Sequence, residues 1–556
     1  MDAKKISFII YKTNDEICEA TKKSLEQMTA GGYAVDVLTV EGENKYAAYN
    51  SALKNSDAKY KIYVDEKIEV RQKNFLSDII KIFKSDEKIG VIGVSGAVKI
   101  STSGDCFKSA RRCGKIFLGE NRDAKDWSSV DGKSKEVEAV DGFFIATQYD
   151  LDWRADLFEK NSFGETAQCL EFKRNGYKIV VAAQKKPFLW FRADDLPADD
   201  ADKKNFLNEY SKELFPLVTV IIPTFNRPKL FETALKSALN QTYRNLEIII
   251  SDNSTEDDTE NLVKEFTEKD PRIKYFRHKD FSADDNWNFA RSYDNPDAEF
   301  VNWLMDNNIF YPRKIEIMVE IYRNHPEVSL VTSKRDFLDA TGAVKYKGRA
   351  IAKQSGRLKG DDAGKLLFTI EQKIFAATKN LKGEISYTTP AFSSDNYIGG
   401  MTNVLIRKKF LRENDLCFAE DEKGFYPLAD LSTWAYLLTQ GSLYWISEPL
   451  SASRGHAEQA TYHEGRGSLN ALCWLKLIKN LWDKKIFLKT EDDARNAIFN
   501  WIRTAALKFD EARIKKYHGQ EVIALEEANI AVAESLVNGC KIELPPSVQA
   551  EFEKFR

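Results

Sequence analysis

No stretch of this 556-residue chain holds the roughly 20 consecutive apolar residues that a membrane-crossing helix needs, so no transmembrane segment is expected. A secretory core is missing too. Ile6 to Ile10 are apolar, polar residues then return, and no small-residue cleavage site follows; the segment reads as a first strand. Excess charge is absent: 82 basic and 85 acidic residues leave a net charge of -3, whereas a nucleic-acid partner would call for a basic surplus. Cysteine is sparse and unpatterned, with seven residues and no CxxC spacing. Nothing near the closest pair, Cys106 and Cys113, completes a zinc set, so free thiols in a reducing cytoplasm are expected. Histidine is scarce as well, at five residues, so one that falls in a chemical context carries weight.

What is present is enough apolar material for packed domains. Hydrophobic residues make up 43% and aromatics 12%, and the length implies two or three cores. The chain also repeats a pattern. Asp57 to Lys67 and Asp297 to Asn308 are each a strand ending in polar groups. Each leads to a helix (Asn74 to Lys84; Arg313 to Asn324) and then to an apolar strand (Ile89 to Val94; Val328 to Thr332). Ile6 to Ile10 opens the first copy and Val218 to Pro223 the second, a period that predicts two domains. Between them, 192–215 is rich in Asp and Lys, contains Pro197 and breaks the periodicity; it is expected to be a linker. After Glu464 the spacing turns helical, over Leu469 to Trp482, Asp492 to Phe509 and Gln520 to Asn538, and predicts a helical appendix before Pro545-Pro546.

In the second copy three apolar strands end in polar clusters, with helical segments between them: the alternation of a parallel sheet, whose ligands bind at the carboxyl ends of the strands. Pro223 is expected to end the first ladder, so that Thr224, Asn226 and Arg227 face that edge and Pro228 opens a helix. Asp252 ends the second strand, and Asp257 and Asp258 suit the first turn of the next helix. Asp306-Asn307-Asn308 ends the third.

These residues resemble the family 2 glycosyltransferases of the GT-A fold. The resemblance implies α/β architecture: two tandem GT-A-like (Rossmann-like, mostly parallel sheet) domains at 1–191 and 216–464, plus a carboxyl-terminal helical region at 465–556. It implies an inverting enzyme that moves a sugar from a nucleotide diphosphate-sugar, a UDP-sugar first, to a glycan or protein hydroxyl in bacterial surface glycosylation. Pro223, Thr224, Asn226, Arg227, Asp252, Asn286 and Arg454 would hold the nucleotide. Asp306, Asn308 and His456 would hold a divalent cation, Mn²⁺ or Mg²⁺. Asn308 stands where relatives have a carboxylate, so the metal should be weakly held. Asp430, at the start of a later helix, would be the general base.

The first copy resembles a glycosyltransferase-like family related to streptomycin-biosynthesis proteins, through Ala139 to Thr147 and Leu170 to Tyr177. Lys67 stands at its metal-motif carboxylate and Ser162 to Glu165 replaces a His-Phe-Tyr-Asp-like run, which implies a degenerate domain kept for binding or assembly. It and the carboxyl-terminal helices are the expected surfaces for a partner or a homo-oligomer. The expected location is the cytoplasm, peripheral to the inner face of the membrane. A non-catalytic sugar-nucleotide scaffold and a transferase with both domains active remain the alternatives.

Overall fold

A computed structural model describes residues 1–128, 130, 132–193, 199–347, 354–368, 378–379, 385–386, 398–411, 429–454, 477–494 and 496–498. The chain divides between Phe215 and Pro216 into two units.

In the first unit Asp2–Tyr11 lies between Ala34–Val40 and Ala58–Asp65, parallel to both. The short strand Phe144–Thr147 follows, antiparallel to Ala58–Asp65 and to Ile89–Gly93, and Lys178–Val181 then runs parallel to Ile89–Gly93. Ile6, Phe8, Ile9 and Ile10 are all fully buried, because helices cover both faces of such a sheet and its strands read as continuous apolar runs. One covering helix, Phe75–Ser85, buries Phe75, Leu76, Ile79, Ile80 and Phe83, a stripe at helical spacing.

The second unit repeats this order. Leu217–Thr224 lies between Leu246–Asp252 and Ala298–Trp303, parallel to both. Leu405–Arg407 is the antiparallel insert beside Ala298–Trp303 and Val328–Leu338, and Ser442–Arg454 runs parallel to Val328–Leu338. Ile273–Arg277 and Asn308–Phe310 add the two edges. Both units are thus Rossmann-like α/β layers of mostly parallel strands, as the repeated sequence pattern predicts.

Three expectations change. Pro223 does not end its ladder: Thr224 still pairs with Asp252. The neighbouring ladder to Ala298–Trp303 stops at Ile221, so the missing proline N–H costs no bond there. The expected linker is largely helical. Asp200–Leu214 belongs to the first unit and buries Phe206, Leu207 and Tyr210, each contributing about 1.5–3 kcal/mol. Its Asp202 is also buried, accepting hydrogen bonds from the backbone N–H groups of Glu159, Lys160 and Ser162. Third, 477–483, 491–494 and 496–498 are helical but are no appendix. Leu477, Leu481, Phe487 and Ile498 pack in one core cluster with Trp434 and Trp445. The remaining predicted carboxyl-terminal helices lie outside the described residues.

Among the described residues no helix is long and apolar enough to cross a membrane. Cys18, Cys106, Cys113 and Cys169 are free and buried.

Candidate active site

The carboxyl ends of Leu217–Thr224, Leu246–Asp252 and Ala298–Trp303 bring the predicted polar groups to one edge. Asn226 has a left-handed backbone (φ 50°), which asparagine tolerates better than most residues. This turn ends the strand and lets Pro228–Leu239 begin with proline in its first turn. The Asn226 side chain is spent on the adjacent loop: its carbonyl oxygen accepts from the Thr255 N–H at 3.0 Å, and its backbone N–H donates to Ser254 Oγ at 2.8 Å. Asn286 acts similarly. It is buried, and its amide donates to the carbonyl of Ser251 at 3.1 Å and to that of Thr224 at 3.5 Å, tying two strand ends together.

Asp252 ends its strand at this edge but is enclosed there. Its side chain is fully buried; Oδ1 accepts from the Ser254 N–H and Oδ2 from the Tyr275 hydroxyl, each at 2.8 Å. Arg277 Nε lies 3.9 Å away. Burial and Asp252 together raise the Tyr275 pKa, so the phenol stays a donor. A ligand group would reach the Asp252 carboxylate by displacing that hydroxyl. Asp257 does not cap the next helix through its side chain but pairs with Arg277 and Lys279.

Asp306 has both oxygens in polar company. Thr224 Oγ1 donates to Oδ2 at 3.2 Å, and Arg227 Nη1 lies 3.5 Å from Oδ1. Burial raises the Asp306 pKa above the usual aspartate value; Arg227 and Thr224 oppose this. Asn308, nearly buried, bridges two neighbours. Its amide donates to Thr402 Oγ1 at 3.0 Å and its carbonyl oxygen accepts from the Arg454 N–H at 3.3 Å, while Asn307 donates to the Arg454 carbonyl at 3.0 Å. Arg454 therefore meets this turn through its backbone, and its guanidinium lies beside Gly342.

Thr402 was not legible in the sequence. Its hydroxyl also accepts from the Met305 N–H at 3.1 Å, so the loop 398–403 holds the Asp306 turn from beneath. The same loop holds the helix Ala429–Gln440, whose Trp434 Nε1 donates to the Gly399 carbonyl at 2.8 Å. Asp430 is in the first turn of that helix, half-buried, with Oδ1 accepting from the Leu431 N–H at 2.7 Å. His456 lies outside the described residues.

The donor set at this turn is one carboxylate, Asp306, and one amide carbonyl, Asn308. That fits a cation such as Mg²⁺, which uses one or two carboxylates and completes its shell with phosphate oxygens and water.

Residues 7–210 match the model of a glycosyltransferase like family, and residues 219–380 match that of glycosyl transferase family 2. The chain is 42% identical over 93 residues to the GalNAc(5)-diNAcBac-PP-undecaprenol beta-1,3-glucosyltransferase of Campylobacter jejuni, a match spanning 17% of this chain and 30% of the relative. It is 24% identical over 284 residues to an uncharacterised glycosyltransferase of Rickettsia bellii, spanning 50% of this chain and 36% of that one. The chain therefore spans about a third of the length of these relatives. Among solved structures, S. aureus TarS 1-349 in complex with UDP-GlcNAc matches at TM-score 0.34 and 14% identity, over 61% of this chain and 92% of that one. The mannosyltransferase PcManGT of Pyrobaculum calidifontis, in complex with GDP-Man and Mn²⁺, matches at TM-score 0.32 and 17% identity, over 62% and 86%. The chain carries two glycosyltransferase-family domains in tandem, and its relatives are glycosyltransferases.

Proposed function

We propose that the second unit transfers a sugar from a nucleotide diphosphate-sugar, with a UDP-sugar as donor, to a hydroxyl of a glycan or protein in bacterial surface glycosylation. The observation that carries this reading is the joint placement of Thr224, Asp306 and Asn308 at one sheet edge, tied through the loop 398–403 to the helix that bears Asp430.

Asp430 takes the proton of the acceptor hydroxyl. That oxygen attacks the anomeric carbon from the face opposite the nucleotide, the bond from that carbon to the phosphate oxygen breaks, and the configuration inverts. A Mn²⁺ or Mg²⁺ bound by Asp306 and the Asn308 carbonyl would neutralise charge on the departing diphosphate. Thr224 and Arg227 hold the Asp306 carboxylate in place for that task. The activity of the Campylobacter relative, by its name, supports a glycan acceptor and makes a glucose donor the first to try.

The test is UDP release by the full chain from a panel of UDP-sugars, with and without Mn²⁺. Donor-specific release that rises with Mn²⁺ is expected. Binding of UDP without release from any donor, whatever the acceptor, would replace this reading with a sugar-nucleotide scaffold.

A further inference from the structure

The first unit contains a cavity of about 90 Å³, several times the space one water needs. Lys45, Asp65, Asn161, Thr166, Phe107 and Phe163 line it, together with Glu165. It lies at the carboxyl end of Ala58–Asp65, the place in this unit that Asp306 marks in the other. Its charges are arranged differently. Lys45 Nζ donates to one oxygen of Glu165, and the Tyr46 hydroxyl donates to the other at 2.8 Å. Burial works against the Lys45 charge, but Glu165 and Asp65 outweigh it and raise the Lys45 pKa. Asp141, also on the wall, is paired with Arg112.

Three polar groups on the wall keep bonding capacity for a ligand: Asp65, Thr166 and Asn161, whose carbonyl oxygen accepts from the Lys45 N–H at 2.7 Å while its amide N–H groups donate to nothing among the described residues. Asp65 Oδ1 accepts from the Lys67 N–H at 2.9 Å, and no second hydrogen bond reaches its carboxylate among the described residues. The Thr166 hydroxyl, nearly buried, makes none among them either. A diphosphate entering here would meet the Asp65 carboxylate, and the other carboxylates on the wall that a cation would use are already paired, Glu165 with Lys45, Asp141 with Arg112 and Asp105 with Lys108. A cationic ligand would meet Lys45. The remaining class is neutral, with hydroxyls to donate to Asp65 and to bond Thr166, and an apolar face for Phe107 or Phe163.

We propose that this cavity binds a neutral saccharide without a metal, and is not a second donor site. The inference rests on the transferase reading of the second unit only for its sense, since the saccharide would be part of the acceptor glycan.

The test is saturation-transfer NMR on the full chain with N,N′-diacetylchitobiose and lactose as probes, in EDTA and excess UDP. A saccharide signal is expected under these conditions. It should fall at least about fivefold in Asp65→Asn and in Thr166→Val, the effect of one lost hydrogen bond. Asn keeps the acceptor for Lys67 and Val keeps the shape of Thr, so unchanged melting temperatures would exclude misfolding. Asp306→Asn should leave the signal in place. No signal from either probe, a signal that requires Mn²⁺, or one that survives Asp65→Asn but is lost in Asp306→Asn would each overturn the proposal. UDP release by the same protein, assayed separately with UDP-sugar donors and Mn²⁺ and without EDTA or added UDP, separates the two readings. Saccharide binding without release would sink only the transferase; release without saccharide binding would sink only this cavity.

Discussion

Glu165 and Asp430 are each the second residue of the helix that leads into the last parallel strand of the main sheet of its unit. One topology therefore presents a carboxylate at the same place twice, with different surroundings. Glu165 is clamped by Lys45 and Tyr46. Asp430 stands half-buried in the first helical turn, bonded through Oδ1 to the Leu431 N–H.

The role of base proposed for Asp430 predicts the effect of Asp430→Asn. Asparagine keeps an acceptor for Leu431 but cannot take the acceptor proton. Sugar transfer should fall by roughly two to four decades while donor affinity, measured by calorimetry, stays near wild type. Transfer at the normal rate would remove Asp430 from the mechanism.

Asn308→Asp should lower the Mn²⁺ concentration that gives half-maximal rate. The added negative charge sits in a partly shielded site, where Coulomb terms are larger than in water. The fold should tolerate it: a carboxylate still accepts from the Arg454 N–H, and the Thr402 hydroxyl can turn to donate. A metal titration of the rate decides, and an unchanged midpoint would mean that Asn308 only braces the turn.

Arg227 bears on pH. Burial raises the Asp306 pKa and Arg227 pulls it down, so removing Arg227 should raise it further. Cation binding needs the ionised carboxylate. The acid limb of the Mn²⁺-dependent rate should therefore move to higher pH in Arg227→Met, and kcat/KM profiles of the two proteins would show it. A limb that stays put or moves down would separate Asp306 from the titration.

Much of the architecture was legible because buried parallel strands leave continuous apolar runs, as at Val218 to Ile222 and Leu246 to Ile250. The polar strand ends were visible too, but their tasks were not. Asn286, Asn226 and Asn308 were legible as polar strand-end groups, but the crosslinks each makes to segments far apart in the chain were not, since local sequence carries no record of such partners. Asp252 gave no sign that Tyr275 would cover it. The helix Asp200–Leu214 was hidden for another reason. Its buried face is narrow, at Phe206, Leu207 and Tyr210, and its buried Asp202 looks like a surface charge.

That helix sets where the first unit can be cut. A fragment ending at Phe215 should fold cooperatively. One ending at Arg192 loses Asp202 and strands the N–H groups of Glu159, Lys160 and Ser162, each costing about 1–3 kcal/mol where it stays buried. Thermal melts of the two fragments compare them directly; equal stability would show that the helix is dispensable.

The central claim, that the donor nucleotide is handled by the second unit, is tested most directly by a crystal structure of the full chain soaked with UDP and Mn²⁺. The account predicts density for the nucleotide at the strand ends of the second unit, with its diphosphate beside Asp306, Thr224 and Asn308, and none in the cavity of the first. UDP found in the first unit between Lys45 and Asp65, with the second unit empty, would contradict it.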